Sequence, residues 1–269
     1  MTIKDILVYL DNDKDCENRV EAAARLCKYY DAHIAGLYVT RTLNVHPYSY
    51  MPAGAFKTLK THAEEKRAEA KKVFIDKTNA ENIGGKFRDS QDHLLNTLCV
   101  QSRYADLLII PRRYNGESDL NQEYLEADTI MGAACPILVL PEGQSALAYP
   151  PKKVMLAWDG SHECARALHL ALPMLTKASE LDVVSVSSNE TEANDIALHL
   201  TRHGIDATVH LLEGSSFDAG SLLLKQAIAL KSDLIVMGAF GHTRLREQIL
   251  GGATKYILSH SPLPILFAH

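Results

Sequence analysis

No apolar run in this 269-residue chain approaches the ~18–20 residues that a membrane span needs, so a transmembrane helix is not expected. A basic excess is missing as well: 28 Lys and Arg against 33 Asp and Glu leave a net charge of −5. That balance disfavours broad binding to nucleic acid or to an anionic membrane. Cysteine is sparse and scattered (Cys16, Cys27, Cys99, Cys135, Cys164), odd in number and without a C-x-x-C pair, which excludes a zinc ribbon or a disulfide scaffold. Cys27 and Cys135 stand in apolar contexts and read as small core residues. The common catalytic signatures are absent too. Gly84-Gly85-Lys86 runs into Phe87 and forms no P-loop, and there is no G-x-G-x-x-G, G-x-S-x-G or H-E-x-x-H. His199 and His203 share a helical face, but a pair of this spacing reads as surface, and no metal site is expected. The opening MTIKDILVYLDNDKD places charges inside its short apolar run, unlike a signal peptide. What is present is ordinary for a soluble protein: 46% hydrophobic and 23% charged residues, in a length that suits two domains and a cytoplasmic location.

The chain repeats itself. IKDILVYLD ending on Asp11 matches PKKVMLAWD ending on Asp159, 148 residues later. YADLLIIP matches KSDLIVMG with Asp106 facing Asp233, 127 apart, and CPILVLP matches LPILFAH with Pro136 facing Pro264, 128 apart. Three strand-like segments in one order indicate duplication, with about 21 extra residues between the first and fourth strands of the first copy. PEGQSALAYPPKK, residues 141–153, has linker composition. The domains are therefore placed at 1–145 and 150–269.

Each copy alternates strand and helix. In the second, VMLAW, LDVVSVS, DATVHLL, DLIVMG and PILFA are strands, and the helices between them include one capped by Ser161 and ending at Pro173. In the first, the strands are DILVYL, HIAGLYV, GKFRDS, DLLII and PILVL. The order predicts a five-stranded parallel sheet per domain, covered by helices on both faces. The extra length falls around 41–83, where KTLKTHAEEKRAEAKK spreads mixed charges around a helix and reads as a solvated face.

In such sheets ligands bind beyond the carboxyl ends of the strands. There the second copy has Asp159-Gly160-Ser161 after its first strand and Gly238-Ala239-Phe240-Gly241 after its fourth, then Gly251-Gly252 before a helix. Glycines allow close approach and positive φ, and the helix start offers unpaired N–H groups, together a cradle for phosphate. The spacing G-x2-G-x9-G, the aspartate after strand one, the alternating topology and the Pro-led last strand make the chain resemble a tandem member of the universal stress protein family. The resemblance implies two Rossmann-like domains of the adenine nucleotide alpha hydrolase type. It also implies Ala157, Asp159 and Val186 near adenine, with Gly238, Gly241, Gly251, Gly252 and Ala253 around the ribose and phosphates of ATP or AMP, Mg included. The family pattern continues from its last glycine with Ser, Thr or Asn; Gly252 stands there instead, with Thr254 nearby. The first copy has Pro111 and Tyr114 opposite Gly238 and Gly241, and Arg112 and Arg113 between them read as solvated, so this half is expected to be degenerate for nucleotide. The implied protein is a stress-associated nucleotide binder with little or no catalysis. Its alternatives are an interaction protein without nucleotide, a binder of a small lipid or metal, or a slow ATPase. The implied partners are the nucleotide and the other half of the chain, paired through their last strands, with homodimers as a further form.

Overall fold

The computed structural model describes residues 2–40, 53–113, 125–143, 150–186, 190–215, 217–241 and 252–269. The first half runs β1 (Asp5–Leu10), α1 (Cys16–Tyr30), β2 (His33–Val39), α2 (Ala53–Ala80), β3 (Gly85–Ser90), α3 (Leu94–Ser102), β4 (Leu107–Pro111), α4 (Leu125–Gly132) and β5 (Ile137–Leu140). The second half repeats the order with β6 (Lys153–Ala157), α5 (His162–Leu175), β7 (Glu180–Val186), α6 (Glu190–Arg202), β8 (Ala207–Leu212), α7 (Ala219–Ala229), β9 (Leu234–Gly238), α8 (Gly252–His260) and β10 (Ile265–Ala268). Within each half all strands pair in parallel.

The two sheets are one. β5 and β10 pair antiparallel, Leu138 opposite Leu266, giving a single ten-stranded sheet in the order β3-β2-β1-β4-β5-β10-β9-β6-β7-β8. Strand composition follows from this position. β4 and β9, in the interior, are buried on both faces and nearly all apolar, whereas the outermost β3 and β8 alternate exposed and half-buried residues. One face of the sheet packs against apolar residues of α1, α2, α5 and α6, and the other against α3, α4, α7 and α8.

The duplication extends to the polar contacts. The Asp106 carboxylate accepts from the amides of Lys4 and Asp5 at 2.7 and 3.0 Å, and that of Asp233 accepts from Lys152 and Lys153 at 2.9 and 3.0 Å. Each aspartate pins the start of its half's first strand.

Two expectations change. Pro173 lies inside α5 rather than at its end, and the helix continues to Leu175. In the last turn the missing N–H removes one bond, while Thr176 and Ala178 still donate to Leu172 and Met174. The charged helix is only partly solvated. α2 buries Ala70 and Phe74, and Phe74 lies against β2 and β3 at Gly36 and Gly85, where any larger side chain would collide with it.

Candidate functional site

The carboxyl ends of β6, β7 and β9 carry the residues singled out in the second half. Ala157 closes β6, is buried, and its carbonyl accepts from the Cys164 thiol at 2.9 Å. Asp159 is exposed just beyond. Its Oδ1 accepts from the amide and hydroxyl of Ser161 at 3.0 and 2.6 Å, while the Ser161 hydroxyl caps α5 by accepting from the Cys164 amide at 3.2 Å. Gly160 sits at φ +73° and gives the turn its left-handed corner. Val186 ends β7 and packs beside Gly214.

Gly238 ends β9 directly against the first turn of α5. A Cβ there would stand 2.4 Å from the Cys164 amide nitrogen and 2.6 Å from the Glu163 carbonyl carbon. Backbone cannot yield to such a contact, so strand–helix packing alone accounts for this glycine. Gly241 faces the same turn: its missing side chain leaves room for the Glu163 carboxylate, 2.7 Å from where a Cβ would be, and for the Ser161 hydroxyl. The Asp159–Ser161 and Gly238–Gly241 turns therefore abut. The left-handed residue of the second turn is not a glycine but Phe240, at φ +66°. Its ring lies 6.3 Å from that of His269, whose Nδ1 is 2.9 Å from the Ala239 carbonyl.

Gly251 lies outside the described residues. Gly252 opens α8, and among the described residues nothing lies within 4 Å of a Cβ built on it. Ala253 follows, its backbone against Gly220 of α7, and Thr254 is buried, so its hydroxyl belongs to the interior. Glu163, Phe240 and His269 are the neighbours that sequence did not single out. No local pattern marks them, because each reaches the site through contacts between separate elements.

The first half differs at the equivalent points that are described, while Tyr114, opposite Gly241, lies outside the described residues. Asp11, the counterpart of Asp159, is buried between two guanidiniums: Arg19 Nη2 approaches its Oδ1 at 2.8 Å, and Arg113 Nη2 donates to its Oδ2. Both guanidiniums lie 5.9 Å from the centre of the Tyr9 ring. The Arg113 amide donates to Glu126 Oε1 at 2.6 Å, and burial pushes the Glu126 carboxyl above its usual range. Asn12 is engaged by the Tyr38 hydroxyl at 3.0 Å and donates to the Lys66 carbonyl of α2 at 2.9 Å. This end of the first half is occupied by its own side chains. The expectation that Arg112 and Arg113 are simply solvated is therefore corrected: Arg113 is four-fifths buried on Asp11, and Arg112 reaches the second half. A small pocket in this half is lined by Asp13, Asp15, Arg19, Arg112, Pro141 and Glu142, charges of both signs that give it no single preference.

Elsewhere, burial pushes the thiols of Cys27, Cys135 and Cys164 up to about 12, which keeps them protonated and unreactive at neutral pH. His169, His199 and His203 stack edge to face at 5.5 and 4.8 Å between ring centres across α5 and α6. Among the described residues no three His, Cys, Asp or Glu side chains are grouped to hold a metal ion, and no helix is long and apolar enough to cross a membrane.

Comparison with known proteins bears on this architecture. Residues 189–269 match the model of the universal stress protein family. A curated relative, the universal stress protein Slr1230 of a Synechocystis species, is 30% identical over 179 residues; the match spans 62% of this chain and 60% of that protein's length. A universal stress protein from Archaeoglobus fulgidus superposes with a TM-score of 0.76 at 17% identity, over 98% of this chain and 95% of its own. A second structure, from Pseudomonas aeruginosa, gives 0.58 at 18% identity over 99% of this chain and 93% of its own. At these identities the structures speak for the fold. The chain carries a domain of the universal stress protein family in its second half, on a fold shared over 98% of its length with the Archaeoglobus protein.

Proposed function

We propose that the second half binds an adenine nucleotide, ATP or AMP, with little or no catalysis, and that the protein serves a stress response as a nucleotide-dependent binder. The observation that supports this reading is the contrast between equivalent positions. Asp11 is sealed by two arginines, whereas Asp159 is exposed at the carboxyl end of β6, and among the described residues nothing crowds Gly252 at the start of α8. Unpaired amides at a helix start attract phosphate without any basic side chain. In this reading Ala157, Asp159 and Val186 face the base and ribose, and Gly241, Gly252 and Ala253 face the phosphates; Mg would arrive with the nucleotide.

Gly238 is a poor probe of the site, because replacing it disrupts the packing on Glu163 and Cys164. Gly252 is a good one, since a side chain there meets none of the described residues. Gly252→Ser adds a hydroxyl donor and is expected to tighten ATP about tenfold, the worth of one hydrogen bond to a charged group. Gly252→Asp places a carboxylate there and is expected to weaken ATP by tenfold or more. Calorimetry on both variants and native mass spectrometry of the freshly purified protein measure this. Protein that is empty as purified and shows no thermal shift in millimolar ATP sinks the proposal. It would favour the second reading, an interaction protein whose Gly238 serves packing alone.

A further inference from the structure

Arg112 connects the two halves in one direction only. Its Nη1 donates to the carbonyls of Ser259 and Ser261, at 3.3 and 2.8 Å, where α8 ends. The equivalent residue of the second half is Ala239. Both backbones do the same thing: the Arg112 amide donates to Leu140 at 2.7 Å, and that of Ala239 to Ala268 at 2.9 Å. Ala239, however, has only a methyl group and cannot return the contact to α4. The last carbonyls of a helix carry partial negative charge and lack partners within the helix, so a guanidinium there satisfies acceptors and complements the dipole. α8 is also held near its start, where Gly220 of α7 lets Ala253 and Tyr256 come close. A helix of nine residues is about 13 Å long, roughly two and a half turns. Over that length, a shift at its end carries to its beginning.

We infer that Arg112 is a positioning residue for α8: from the first half it fixes the far end of the helix whose opening turn carries Gly252 and Ala253. It thereby sets how that turn meets an anion. The inference rests on the nucleotide reading for its binding consequence, but its structural half does not need nucleotide. It gives the first half a part in the chemistry of the second, beyond covering a sheet edge.

The test uses the full chain and the variants R112A, R112M and R112K. Amide hydrogen exchange in residues 252–260 is expected to quicken about fivefold in R112A and R112M, while exchange in β1 and β2 stays as in the wild type. ATP affinity measured by calorimetry is expected to fall three- to tenfold in both. R112K keeps a charge of similar reach, and is expected to recover most of each loss, which a residue that merely fills space would not do. If R112A does not fold, R112M against R112K carries the comparison. Exchange in α8 within twofold of wild type in R112M overturns the inference, as does quickened exchange with unchanged ATP affinity. A wild-type protein that binds no ATP instead overturns the nucleotide reading, and is recognised before any substitution is made.

Discussion

At the scale of single residues, the two strand-end aspartates show how one sequence position supports opposite roles. Removing one partner from a buried ion pair strands the other charge at a cost of about 3–5 kcal/mol. Asp11→Ala leaves the buried Arg19 guanidinium and that of Arg113 without their carboxylate, and a loss in that range is expected from urea denaturation. Asp159→Ala removes an exposed carboxylate and should cost clearly less; equal losses would show that the buried ion pairs of Asp11 add nothing to stability beyond those of an exposed carboxylate. The aspartates themselves were legible from the repeat. The seal on Asp11 was not, because Arg113 stands 102 residues away in the chain and two adjacent arginines in a loop look the same whether solvated or folded inward. Phe240 is a similar case. Glycines on both sides pointed to themselves as the left-handed residues, yet the fold places φ +66° on the phenylalanine between them.

At the scale of elements, strands were the easiest part to read. Interior strands must be apolar on both faces, and the runs DLLII and DLIVMG announce themselves. α2 was harder, since its charges hide the buried stripe of Ala70, Phe74 and Thr78 that docks it. The α5–α6 seam was the least legible, because His169 joins His199 and His203 only once the helices are packed. Burial, with His203, His169 and Arg202 close by, lowers the pKa of His199 from its ordinary 6.5. The unfolded chain then takes up a proton at this site before the folded one does, so stability is full above about pH 6.5 and declines as pH falls through that value. His199→Gln should shrink the loss in urea midpoint between pH 7.5 and pH 5.5. A loss of the same size in variant and parent would assign the acid sensitivity to other groups.

At the scale of the whole molecule, the joined sheet decides how the halves behave apart. Residues 150–269 alone would expose the edge of β10 that β5 now covers, a strand of four buried residues with unmet hydrogen bonds. Such a fragment is expected to dimerise at micromolar concentration, β10 against β10, as measured by sedimentation; a monodisperse monomer would argue that β5 adds little to closing that edge. The pairing of last strands was anticipated from the resemblance, whereas the reach of Arg112 across it was not, since its acceptors are backbone carbonyls that no sequence pattern marks. Near-dyad order about the β5–β10 seam has a final consequence. In a dimer of identical chains every substitution appears twice, so a residue that helps one copy must be tolerated in the other. Tethering the copies in one polypeptide lifts that constraint, and lets an arginine stand at 112 while its mirror position keeps an alanine. Division of labour between the halves is thus open to single mutations, one side at a time.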